Sequence, residues 1–199
     1  MTPTIRSART EDRGEVVETI VRAFVRDPLL RFLAPGDEAY ARVAPAYFGY
    51  LFDLRAGGGG EVRVSDDLKA ASLWNPPGGN RLGTQKVRAT LAAQVLPVLG
   101  AEESARMDEL ERVLGGMHPD EPHWYLGIAA VHPDHQGRGL GAAVIRALLA
   151  EAIAAEAPAF LITTAPGNVP IYQRLGFATC IESDLPAGPH VWGMRREPG

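Results

Sequence analysis

Three glycines at every second position, Gly137, Gly139 and Gly141, stand in the stretch HPDHQGRGLG from His132 to Gly141. Gln136 precedes them and Arg138 lies between the first two. Glycine lets backbone N–H groups turn toward a ligand with no Cβ in the way. The stretch runs at once into AAVIRALLAEAI, an apolar pattern of helical period. N–H groups at a helix N-terminus, aided by the helix dipole, hold a phosphate. A strand, this loop and this helix in series therefore make a phosphate cradle from Gln136, Gly137, Arg138, Gly139, Leu140, Gly141 and Ala142. Further on, Asn168 and Tyr172 stand four residues apart in NVPIYQRLGF. A phenol with an ordinary pKa near 10 stays protonated at neutral pH and can donate a proton.

Several phosphates could lie in such a cradle. A P-loop needs Lys-Ser/Thr after its last glycine, and none follows here. Gly137, Gly139 and Ala142 do satisfy the G-x-G-x-x-A of dinucleotide folds. That fold, however, calls for an acidic residue at the end of the next strand, where this chain has LITTA. The chain after Gly141 is also too short for the rest of a doubly wound sheet. The pyrophosphate of coenzyme A remains. A nicotinamide-dependent oxidoreductase stands as the distant alternative, and a non-catalytic acyl-CoA sensor as the nearer one.

The stretch Gln136 to Gly141 resembles the acyl-CoA loop of the GNAT superfamily of N-acyltransferases, whose pattern is Gln/Arg-x-x-Gly-x-Gly/Ala. HWYLGIAAVHPDHQGRGLG resembles that family's fourth strand running into its third helix, and NVPIYQRLGF its Asn-x-x-x-x-Tyr-x-x-x-Gly-Phe segment. The resemblance implies an α/β GNAT fold: a mixed central sheet of about seven strands, splayed at the fourth and fifth, with helices on both faces. It implies acetyl-CoA as co-substrate and a primary amine of a small molecule as acceptor, joined by direct transfer in a ternary complex. Tyr172 would give a proton to the departing thiolate, and Asn168 would contact the pantetheine arm. A strand bulge near Ala129, Ala130 and Val131 would splay the sheet and offer backbone N–H to the acetyl carbonyl.

The base that relieves the amine of its proton is less marked. Aligned on Gln136, the family's position for a carboxylate or histidine falls at or near Tyr125. His123 lies two residues earlier, hence on the same strand face, and Glu121 beyond it. Asp27, in FVRDPLLRFL, is a further candidate at the acceptor side. Trp74, Trp124 and Tyr125 are candidate neighbours of an aromatic acceptor, with sheet packing as the plainer role of the tryptophans. The aromatic run AYFGYLF reads as core first and acceptor wall second.

These groups need elements to hold them. TIRSAR is a strand candidate, and Thr10 an N-cap for a helix with apolar Val16, Val17, Ile20, Val21 and Phe24. Asp27-Pro28 ends it. Residues 37–54 read as a helix through Tyr47, Tyr50, Leu51 and Leu54, stopped by AGGGGE. EVRVS and KAASLWN form a hairpin pair of strands, and NPPGGN breaks the chain again. Residues 82–99 and 102–114 read as two helices, 123–131 as a strand and 139–155 as the cradle helix. AFLITTA, FATCIES and HVWGMRR are the remaining strands.

The bulk numbers agree. The chain of 199 residues, 46% hydrophobic, suits one domain spanning 1–199. A net charge of −4 disfavours nucleic acid as a partner. The lone Cys180 rules out an internal disulfide, and the five histidines lack the spacing of a metal site, so no metal is expected. The polar N-terminus and the short apolar runs suggest a cytoplasmic protein away from membranes, as monomer or homodimer.

Overall fold

The computed structural model describes residues 3–79 and 85–198. Part of the breaker NPPGGN and the start of the helix expected from residue 82 lie outside them. The chain begins with β1 (Ile5–Ser7), a turn of 3-10 helix and α1 (Arg13–Ala23). Arg9, not Thr10, caps that start, and Asp12 closes it by accepting the Arg9 N–H at 2.7 Å. Asp27 does more than end α1: its side chain accepts from Leu29 N and Leu30 N, each at 3.0 Å, and so caps a short α2 (Pro28–Leu33). Then come α3 (Gly36–Leu54), a π-turn (Arg55–Gly59) and the hairpin β2 (Glu61–Ser65) and β3 (Ala70–Asn75). Next are α4 (Gln85–Gln94), α5 (Ala101–Met117), β4 (Trp124–Val131) and α6 (Leu140–Ala154). The chain closes with β5 (Ala159–Thr163), α7 (Val169–Gln173), β6 (Ala178–Asp184) and β7 (His190–Arg196).

One sheet of seven strands runs in the order β1-β2-β3-β4-β5-β7-β6. All its pairs are antiparallel except β4–β5. The parallel pair comes from the β4-loop-α6-β5 crossover, as the strand–helix–strand pattern demands. Period-2 alternation sorts the sheet's side chains onto two cores. Ala71, Leu73, Ile128 and Ala130 join the core under α1, α3 and α5. Trp74, Leu126 and Leu161 join a second core with Ile145, Leu148 and Leu149 of α6. Ser72 also faces α6, donating to the Val144 carbonyl at 2.8 Å.

The parallel pair is short. β4 and β5 are in register only at Trp124–Ala159, Tyr125–Phe160 and Leu126–Leu161. Beyond Leu126 they part, and the splayed sheet that the resemblance implies results. The bulge lies at this fork and not near Ala129 to Val131 as expected. Leu73 pairs with Ile128 but Trp74 with Leu126, so Gly127 is the extra residue. One inserted residue flips the alternation. Tyr125 and Ile128 therefore face the same side of the sheet.

Candidate active site

Gly137 and Gly139 have φ of +75° and +78°, a region that side-chain-bearing residues rarely adopt. A Cβ added at either would meet no atom within 4 Å, so the loop leaves open space over both. Gly139 caps α6, whose first backbone bond runs from Ala143 N to the Gly139 carbonyl at 3.1 Å. The N–H groups of Leu140, Gly141 and Ala142 are thus spared by the helix. Gly141 packs close to the strand end, where a Cβ would lie 3.3 Å from Val131. Gln136 donates to the Val131 carbonyl at 3.2 Å and Arg138 to the Asp134 carbonyl at 3.0 Å, which brace the loop from within. Open space, left-handed glycines and spared donors suit a pyrophosphate, so the cradle fits coenzyme A.

Beside the cradle lies the fork. The His132 N–H donates to the Lys69 carbonyl on β3. By the alternation of an antiparallel ladder, Ala130 and Ile128 also turn toward β3, while Ala129 and Val131 turn into the fork. Of the three residues expected around the acetyl group, Ala130 thus directs its N–H away and its methyl into the core. The other two have N–H groups free to meet a carbonyl oxygen.

A cavity of about 420 Å³ connects this fork to the helices above it. α7 lends it Asn168 and Tyr172; β4 lends Tyr125 and Ala129; α3 and α5 lend Tyr47, Tyr50, Leu114 and Glu111. Asn168 makes no capping bond with its side chain, so the amide is not consumed by α7. Tyr172 packs edge-on against Phe177, centroids 6.1 Å apart. Burial, then the nearby charges of Asp27 and Tyr125, raise its pKa well above the phenol range. Tyr125 is raised by burial too, which makes it a poor base.

The expected base and acceptor residues divide. His123 and Asp27 line the cavity. His123 Nδ1 lies 2.8 Å from the Glu121 carbonyl, and its Nε2 3.3 Å from Nδ1 of His118. The two imidazoles stack at 5.5 Å, and His118 meets the Tyr125 ring edge-on at 4.5 Å. Asp27 is raised by burial against its two backbone donors. Glu121 is a correction: it lies on the surface, away from the cavity, ion-paired with Arg195, which lowers its pKa. A carboxylate so engaged is a weak proton acceptor. Trp74 is another correction, fully buried in the α6-side core, and Trp124 packs on the same side. Neither lines the cavity.

Three cavity residues escaped the sequence reading. Glu111 of α5 is raised by burial, then by Asp108. His118 follows the end of α5 and stands over β4. Arg55, at the first position of the π-turn, is 3% exposed. Its signal was present, since Arg55 follows Tyr47 by eight residues and Leu51 by four and so extends their stripe. Among the described residues no cluster of three or more His, Cys, Asp or Glu side chains is placed to hold a metal.

Comparison with known proteins agrees with this geometry. Residues 102–177, from α5 through the cradle to Phe177, match the model of the acetyltransferase (GNAT) family. Three solved structures share the fold over nearly their whole length. A protein described as histone acetyltransferase HPA2 and related acetyltransferase, from Corynebacterium glutamicum, is 22% identical at a TM-score of 0.74, with 100% of this chain and 98% of that one covered. Arylalkylamine N-acetyltransferase 2 from Aedes aegypti is 13% identical at 0.70, with both chains covered in full (100% and 100%). The C-terminal condensation domain of Ebony, in complex with beta-alanyl-dopamine, is 15% identical at 0.64, covering 98% of each chain. The acetyltransferase (GNAT) family model thus matches the chain through the cradle, and the fold is shared with these structures from end to end.

Proposed function

We propose that the protein, as one domain of residues 1–199, transfers the acetyl group of acetyl-CoA to a primary amine on a small aromatic molecule. The observation that carries this is the cavity, which joins Tyr172, Asn168 and the fork of β4 and β5 to walls of tyrosine and buried carboxyl. Bound acetyl-CoA supplies the thioester carbon that the amine attacks. Gln136 to Ala142 hold its pyrophosphate, Asn168 its amide arm, and the N–H groups of Ala129 and Val131 its carbonyl oxygen. Asp27 and Glu111 draw the ammonium into the cavity. The His118–His123 pair takes the amine's proton, His118 passing its Nδ1 proton to Nε2 of His123 as it receives one; Tyr172 gives its own to the sulfur as the C–N bond forms and the C–S bond breaks. Two reactants positioned together need no covalent enzyme intermediate.

The acceptor is read from a further resemblance. The segments VSDDLKAASLWNPP, EPHWYLGIAAVHPDHQGRGLGAAVI, APGNVPIYQRLGF and PAGPHVWGMRREPG resemble puromycin N-acetyltransferase. Puromycin or another antibiotic amine, acetylated in the cytoplasm as a form of resistance, is accordingly part of the reading. The arylalkylamine named for the Aedes structure and the beta-alanyl-dopamine held by Ebony are likewise small aromatic compounds. Steady-state thiol release with puromycin, aromatic amines, aminoglycosides, polyamines and a lysine-bearing peptide tests it. Turnover of the aromatic amines is expected. Turnover of the peptide alone would overturn the small-molecule reading.

A further inference from the structure

Arg55 has no part in the scheme above, yet it lines the same cavity. Its Nη1 donates to the Leu51 carbonyl at 2.9 Å. Its Nε is buried and has no hydrogen-bond partner. Its Nη2 lies against Gly127, where a Cβ would collide with it. That contact accounts for a glycine at the bulge, and it puts the guanidinium at the fork of β4 and β5. The groups whose charge it feels are the phenols of Tyr125, Tyr47 and Tyr50, all neutral at physiological pH. Among the described residues no carboxylate is ion-paired with it.

A guanidinium cannot discharge itself by losing a proton. Buried without a counter-ion, it forfeits hydration and receives nothing in return, so a buried arginine is nearly always paired. Asp27 and Glu111 share the cavity without meeting that need. The cavity is therefore bipolar, with carboxyls suited to an ammonium and a cation left for an anion.

We propose that Arg55 receives a carboxylate of the acceptor, so that the molecule acetylated is an aromatic amino carboxylate. The planar fork of arginine matches a planar carboxylate. One negative charge balances one guanidinium, whereas a phosphate dianion would leave excess charge in a cavity that already holds the carboxyls of Asp27, Glu111 and Asp120. Because Arg55 sits at the fork against Gly127, two residues from Ala129 on the same strand, the carboxylate and the reacting amine lie close together in the acceptor. This inference rests on the amine-acetylation reading and narrows it, since puromycin carries a primary amine beside an aromatic ring but no carboxylate.

The test pairs tyrosine with tyramine and tryptophan with tryptamine, alongside puromycin, in thiol-release assays on the full chain. Wild type is expected to favour the carboxylated member of each pair in kcat/KM by at least about tenfold. Arg55→Gln should collapse that ratio, mainly by raising KM for the carboxylated member, and Arg55→Lys should restore part of it. Calorimetry with 3-(4-hydroxyphenyl)propionate and its uncharged alcohol provides a readout without turnover: wild type should bind the acid and not the alcohol. A preference for tyramine, tryptamine or puromycin would overturn the carboxylate and leave amine acetylation standing. Equal loss of kcat on every amine in Arg55→Gln would also overturn it, since Arg55 would then serve the transfer itself. No turnover of any amine, with Arg55-dependent binding of the acid, would uphold the anion site and overturn the proposed reaction.

Discussion

Tyr172 carries the proposed proton transfer to sulfur. Its hydroxyl is kept protonated by burial and aimed into the cavity by a helix of only five residues. Tyr172→Phe retains the ring packed on Phe177. It should leave acetyl-CoA affinity nearly unchanged in calorimetry and lower kcat about 10²-fold. A kcat within about a factor of two of wild type would mean that water supplies the proton. The placement of Tyr172 and Asn168 at the cavity and of the glycines at the start of α6 was legible in sequence, because their spacing is local and one short element positions each of them. His123 and Tyr125 were legible because strand alternation keeps them on one face. Glu121 was misread because its fate depends on Arg195, a partner on the far hairpin strand β7. Trp74 was misread because alternation tells which residues share a face but not which face receives the acceptor. Arg55 was missed because a charge at the end of an amphipathic helix is ordinarily a solvated one.

At the scale of elements, the cradle works through the start of α6. Gly139→Asp would add a negative charge beside the spared N–H groups and force a side chain into a left-handed conformation. Acetyl-CoA affinity should fall at least about tenfold, roughly 1.4 kcal/mol, with the fold kept. Unchanged binding would remove the cradle from the coenzyme site. The junction of β1 and α1 makes a different prediction. Asp12 accepts from Arg6 at 2.6 and 3.0 Å and from the Arg9 N–H. These donors, Arg6 first, lower its pKa to about 2. A carboxylate depressed in the folded state stabilises it above the unfolded value near 4, and that stability drains as pH falls toward 2. The contribution is about 2 kcal/mol, read as the acid limb of stability in denaturant titrations. Asp12→Asn should flatten that part of the limb; an unaltered limb would place acid sensitivity elsewhere. Both the 3-10 start and α2 were invisible to periodicity, since three and six residues are too few to show a helical period.

For the molecule as a whole, the sheet is a partition. One face, with α1, α3 and α5, builds the cavity proposed for the acceptor; the other, with α6, builds a core. Trp74→Phe lies on the core side. It should lower stability by about 1 kcal/mol and leave KM for the amine unchanged, and a raised KM would return Trp74 to the acceptor wall. Strand number and the parallel pair were readable from the chain, because each follows from patterning and crossover length. The position of the bulge was not, because only the register between β3 and β4 reveals it. That fork has a consequence for the clocks of individual amides. Ala129 and Val131 turn their N–H groups into a gap, while Ala130 and Ile128, one residue away, are tied to β3. Deuterium should enter the first pair quickly and the second slowly in the free protein, so that protection alternates along a single strand. Acetyl-CoA should then slow the fast pair alone, turning a saw-toothed exchange profile into a level one.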